Sequence, residues 1–110
     1  VIFGACADAT RLRLLQLLAQ RELCVCEMVE LLGMPQGKVS RHLGVLRRAG
    51  LVRCRREGTW MHYALNKQET PLGRLVEEYL NRPSQDPTLA QDRRQLRRLG
   101  ADLCLKAGKP

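Results

Sequence analysis

The hydrophobic period of this chain changes at Gly50, and that change limits the fold more than any other feature. Apolar residues recur at helical spacing before it and in short β-rich runs after it. Gln36 to Ala49 reads as a helix, with Val39, Leu43 and Leu46 at i, i+4 and i+7 and Gly50 as its stop. Ahead of it, Cys24 to Leu32 forms a shorter helical segment closed by Gly33, and a tight turn at Met34-Pro35 joins the two as a helix-turn-helix. Beyond Gly50, Leu51 to Arg56 and Thr59 to Leu65 flank Glu57-Gly58 as a β-hairpin, placed to stand beside the helices as a wing.

The flanks carry their own signals. Asp8 is an N-cap for a helix running to about Gln20, with Leu12, Leu14, Leu15, Leu17 and Leu18 apolar. Thr70-Pro71 caps and starts a helix with Leu72, Leu75, Val76, Tyr79 and Leu80 on one side. Asn81 to Pro87 reads as a linker. A last helix is expected from Thr88 to about Lys106, with Leu89, Leu96, Leu99 and Leu103 apolar and Arg93, Arg94, Arg97 and Arg98 on its polar side.

Charge then points to a partner. Nineteen Lys and Arg against 11 Asp and Glu leave +8, an excess suited to a polyanion. Gln36 to Met61 concentrates it, with Lys38, Arg41, Arg47, Arg48, Arg53, Arg55 and Arg56 against the single acid Glu57. At about 100° per residue, Val39, Leu43 and Leu46 fall between about 280° and 340°, while Gln36, Gly37, Ser40, Arg41, Gly44, Arg47 and Arg48 fall between about 0° and 140°. The second group suits close approach to a major groove. Gln36, Ser40 and Arg41 are the base-reading candidates; Lys38, Arg47 and Arg48 belong to the same cationic surface, and Arg55 and Arg56 near the hairpin tip suit phosphate or minor groove. Aromatic residues make up only 4% of the chain, too few for the stacking platforms of single-strand readers, so duplex DNA is favoured. The expected fold is mainly α with a β-hairpin, a dimeric winged helix-turn-helix, divided into a DNA-binding and dimerisation domain over 1–81 and a linker and C-terminal helix or tail over 82–110.

With no long apolar run and no export signal, the expected location is cytoplasmic, away from membranes. The chain opens on Val1 rather than Met, which leaves room for an arm before it. Five cysteines (Cys6, Cys24, Cys26, Cys54, Cys104) are then thiols or metal ligands rather than a disulfide framework. Cys6 reads as core, and Cys54 lies on the Val52 side of the first wing strand by alternation. His42 and His62 read as a helix-flank and a strand residue, and Trp60 and Tyr63 as packing residues. Cys24-Val25-Cys26 is one residue shorter than the redox Cys-x-x-Cys and has no βαβ pattern around it, so no enzyme is expected.

The order Asp8-Ala-Thr-Arg-Leu-Arg, Glu22-Leu-Cys-Val-Cys-Glu, Val39-Ser-Arg-His-Leu, Ala49-Gly-Leu-Val and Glu57-Gly-Thr-Trp-Met-His-Tyr-Ala-Leu resembles the ArsR/SmtB family of metal-sensing winged-helix repressors, in particular its arsenic-sensing branch. The resemblance implies a homodimer that binds double-stranded operator DNA when metal-free and leaves it when metal binds, with Val1 to Ala7 and Pro71 to Asn81 in the dimer-forming helices. Three departures stand out. Pro35 and Gly37 occupy positions where Ser and Pro are common, Val29 replaces a frequent third cysteine, and Leu72 to Asn81 carries Glu77 and Glu78 but no His for a zinc site.

Thiolates are soft donors: As(III) or Sb(III) commonly takes three in a pyramid, whereas Zn(II) asks for four tetrahedral ligands. No His or Asp stands beside the Cys24-Cys26 box in the sequence, which favours the metalloid as inducer. The third thiolate is Cys104, Cys54 or absent, with Cys104 preferred because a helix behind a linker can move. In a regular helix Cys24 and Cys26 point about 200° apart, so both hold one ion only if that first turn unwinds or has not yet formed, and metal binding would strain this helix and, through Met28, Leu32, Val39 and Leu43, the reading helix. A Cd(II)-, Pb(II)- or thiol-redox-responsive repressor of the same fold is the alternative.

Overall fold

In a computed structural model, residues 2–82 and 86–99 are described. Helix α1 (Ile2–Cys6) leads to α2 (Ala9–Leu18), a two-residue strand β1 (Leu23–Cys24), then α3 (Val25–Leu32) and α4 (Gln36–Arg48). Strands β2 (Val52–Glu57) and β3 (Trp60–Leu65) follow, then α5 (Pro71–Asn81) and α6 (Pro87–Leu99). The chain is a winged helix-turn-helix, mainly helical with a small antiparallel sheet, as the periodicity predicts.

Local chemistry sets the helix ends. Asp8 Oδ1 accepts from Thr10 N at 2.8 Å and Arg11 N at 3.1 Å, which starts α2. Thr70 Oγ1 accepts from Gly73 N at 3.0 Å ahead of Pro71, which starts α5. Gly33 closes α3 at φ 64°, in the left-handed region where a side chain would be strained. Helix α6 begins at Pro87, one residue earlier than expected, because Asp86 caps it, accepting from Thr88 N at 2.9 Å and Leu89 N at 3.2 Å.

The hairpin turns on Gly58 (φ 62°) and Thr59, since Glu57 pairs with Trp60; Glu57 is therefore strand rather than turn. The sheet holds one strand that no periodicity announces: β1 lies against β3, giving the order β1-β3-β2, with Leu23 opposite Tyr63 and Cys24 opposite His62. The core sits between the helices and one face of this sheet. It gathers Leu14, Leu15, Leu17 and Leu18 of α2, Met28, Leu31 and Leu32 of α3, and Val39, Leu43 and Leu46 of α4, closed by Leu23, Leu51 and Val52. Cys6 is half-buried against it.

Helix α6 lies against α2 and α3. It buries Leu89 and Leu96 and is anchored by Asp92, whose carboxylate accepts from Arg13 Nε at 2.8 Å and Nη2 at 3.0 Å. The expected continuation to Lys106, with Leu103 and Cys104, lies outside the described residues.

Candidate functional site

The outward face of α4 is built as its spacing predicts. Burial of Val39, Leu43 and Leu46 fixes the rotation of the helix, and Gln36, Gly37, Lys38, Ser40, Arg41, Arg47 and Arg48 are all exposed. Pro35 caps the helix without a side-chain hydrogen bond; its carbonyl accepts from Lys38 N at 3.1 Å and Val39 N at 3.2 Å. The first-turn N–H groups are therefore free of a side-chain cap, a position where a helix attracts anions. His42 stands on the flank, its Nδ1 at 3.3 Å from Arg11 Nη1 and 3.9 Å from Asp8 Oδ1.

The two wing arginines differ. Arg56 is exposed and, among the described residues, carries no ion pair. Arg55 is held between two carboxylates: Nη2 and Nε donate to Glu22 at 2.7 and 3.3 Å, and Nη1 donates to Glu57 Oε2 at 2.8 Å. Those bonds, Glu22's first, raise the guanidinium pKa further.

The thiols form a second centre. Cys24 is the N-cap of α3, in extended backbone (φ −86°, ψ 164°) and fully buried. Its N–H donates to Glu27 Oε1 at 2.9 Å while the Glu27 N–H faces its sulfur, a reciprocal capping box. Burial pushes the Cys24 thiol pKa well up, and the Cys26 side chain hydrogen-bonded to it adds to the rise. Because Cys24 stands outside the first helical turn, the 200° separation of a regular helix does not apply, and the pair meets with α3 intact. The unwinding expected from spacing is not required.

Spacing along the sequence puts no His beside the box, but the pairing of β1 with β3 does. His62 is the cross-strand partner of Cys24; its Nε2 is buried without a hydrogen bond, 3.9 Å from Glu57 Oε2. Cross-strand partners share a face, so Cys24, His62 and Arg55 form one row, whereas Cys54 pairs with Tyr63 on the opposite, core-side face. That register separates Cys54 from the Cys24-Cys26 pair. Cys104 lies outside the described residues. Among the described residues no three His, Cys, Asp or Glu side chains are grouped to hold a metal ion, so the thiol pair supplies two donors.

No helix among the described residues is long and apolar enough to cross a membrane. The profile of a family described as "Bacterial regulatory protein, arsR family" matches residues 8–53. An uncharacterized HTH-type transcriptional regulator of Methanocaldococcus jannaschii is 42% identical over 79 residues, 70% of this chain and 89% of that protein. The arsenic resistance transcriptional regulator ArsR1 of Pseudomonas putida is 45% identical over 62% of this chain, which spans 54% of ArsR1's own length. Regulators with names unrelated to arsenic match at similar identity. Among solved structures, HlyU from Vibrio cholerae superposes with a TM-score of 0.63 at 34% identity, covering 72% of this chain and 83% of that one. Reading helix, wing, capped thiol pair and these matches agree, and the chain belongs to the arsR family of bacterial regulatory proteins.

Proposed function

We propose that the chain represses transcription by binding duplex operator DNA as a metal-free homodimer and leaves the operator when As(III) or Sb(III) bonds to its thiols. The observation that carries this reading is the pairing of buried Cys24, the N-cap of α3, with half-buried Cys26 in the first turn of that helix, which packs directly on the reader α4. Each As–S bond replaces an As–O bond of arsenite, and the thiol proton leaves with the hydroxide as water, so even a thiol of raised pKa reacts without a separate base. Cys104 is the proposed third donor, and the register of β2 weighs against Cys54 in that role. Met28, Leu32, Val39 and Leu43, all buried in one cluster, form the path from the thiols to α4.

On the DNA side, Gln36, Ser40 and Arg41 would read bases, with Lys38, Arg47, Arg48 and Arg56 on phosphates. Exposed Phe3 on α1 and Leu75 and Tyr79 on α5 supply apolar surface for the second copy. The test is an anaerobic arsenite titration followed by thiolate absorbance and operator release together. Cys24→Ser and Cys26→Ser should retain operator binding and lose release, because Ser offers no soft donor. A Cys24→Ser, Cys26→Ser double variant released at the wild-type arsenite concentration would overturn the site. One observation favours a second reading, a divalent soft ion such as Cd(II) or Pb(II): the β1–β3 register sets His62, whose buried Nε2 makes no hydrogen bond, across from Cys24, although the two are not grouped with Cys26 as a preformed three-donor site. Tighter binding of Cd(II) than of arsenite, lost on His62→Phe, would select it.

A further inference from the structure

We propose that Arg55 is a positioning residue of induction, tying the strand that ends at Cys24 to the wing, so that inducer at the thiols acts on DNA through the wing as well as through α4. This rests on the thiol-site reading above. Strand β1 is two residues long, and its pairing with β3 sets Cys24 directly against His62, which in turn stands directly against Arg55 of β2. One row of the sheet thus runs from the thiol to the wing arginine. Glu22, two residues before Cys24, shares that face and takes two hydrogen bonds from the Arg55 guanidinium at 2.7 and 3.3 Å. The remaining terminal nitrogen of Arg55 donates to Glu57 at the wing tip at 2.8 Å, and Glu57 Oε2 lies 3.9 Å from the otherwise unpartnered His62 Nε2.

Two consequences follow from this charge arrangement. A guanidinium shared by two carboxylates is a poor phosphate contact, because the three groups together carry net negative charge. Arg56, one residue on, points to the other face by alternation and is free for that role. And a strand held by so few backbone bonds depends on its side-chain tie: when an ion bonds Cys24 to Cys26 of α3, the pull on Cys24 is a pull on Glu22, and Arg55 passes it to β2 and Glu57. The thiol site therefore has two outputs, one to the reading helix and one to the wing.

Charge reversal tests this. Three full-length variants, Glu22→Arg, Arg55→Glu and the two combined, are compared for arsenite uptake by thiolate absorbance and for the ratio of operator affinity without and with saturating arsenite. Each single variant should take up arsenite as wild type does but lower that ratio at least about threefold, within the usual range of coupling between sites. The double variant should bring it back to within about twofold of wild type, since the tie is restored with its signs exchanged. Single variants with an unchanged ratio overturn the proposal, and so does a double variant that stays as impaired on DNA as Arg55→Glu, the signature of a phosphate contact. If a reversed charge prevents folding, Glu22→Gln and Arg55→Gln replace it, with the same lowered ratio expected of each and an unchanged ratio overturning the proposal. A wild-type chain that ignores arsenite overturns the reading it rests on and this proposal with it; a responsive wild type with unaltered variants overturns this proposal alone.

Discussion

Arg41 and Arg56 carry the same charge and are both exposed, yet their surroundings give them different work. Arg41 stands on the outward face of α4 with Ser40 and Gln36, where a side chain meets base edges. Arg41→Ala should therefore weaken cognate operator by about 1 to 3 kcal/mol and random DNA much less. Arg56→Ala should weaken both alike and reduce the slope of log affinity against log salt by about one. Binding isotherms at three salt concentrations separate the two, and identical behaviour would contradict the division between helix and wing. Glu22 gives a residue-scale prediction in pH. Hydrogen bonds from Arg55 hold its carboxyl below the usual glutamate range, against a smaller opposing effect of desolvation. A folded pKa below the unfolded value of about 4.3 stabilises the fold above that value, and the contribution is lost as pH falls through the lower folded pKa. The pair is largely solvated, so the amount is under about 1 kcal/mol. Melting temperatures of wild type and Glu22→Gln between about pH 5 and 3 should converge on acidification, and parallel curves would show that Glu22 contributes nothing.

Elements were legible in the sequence where their signal is local. Asp8, Thr70-Pro71 and Gly33 mark helix ends because a side chain or a left-handed glycine acts on backbone within a turn of itself. The stripe of Val39, Leu43 and Leu46 orients α4 for the same reason. Strand β1 was not legible: two residues have no period, and Leu23 and Cys24 become a strand only because Tyr63 and His62 return far along the chain to pair with them. That long-range pairing also hid the histidine opposite Cys24 and the extended cap conformation of Cys24, which helical geometry alone misplaces. Helix α6 shows the same limit. Nothing in the sequence singles out Asp92 among the four arginines of α6, yet it is 4% exposed and accepts from Arg13 Nε and Nη2. Asp92→Ala should leave Arg13 without its partner and lower stability by about 1 to 3 kcal/mol. The denaturant midpoint should fall, and trypsin should cut at Arg93 and Arg94 sooner than in wild type. Unchanged cleavage would mean that Leu89 and Leu96 hold α6 without the pair.

For the whole molecule, the apolar surface left uncovered is the informative quantity. Phe3 is 72% exposed, Leu75 64% and Tyr79 52%, on α1 and α5, while Leu80 of the same α5 is buried in the core. A helix apolar on two sides has one side for its own chain and one for another. A single reading helix spans few base pairs, and pairing two copies through this surface would set two readers about a helical turn of DNA apart, so that one dimer engages both halves of an inverted repeat. Binding of the second half-site is then intramolecular, which raises affinity by about a hundredfold or more without any new contact to DNA. Leu75→Glu places a charge in the middle of that surface at a position 64% exposed and outside the buried core cluster, so each chain should keep its melting behaviour apart from what association adds. Sedimentation should report monomers where wild type gives dimers. Operator affinity should fall by about a hundredfold or more, while affinity for an isolated half-site should stay within about threefold of wild type. A Leu75→Glu chain that still sediments as a dimer would place the interface elsewhere, and a monomer that keeps full operator affinity would remove the need for two copies.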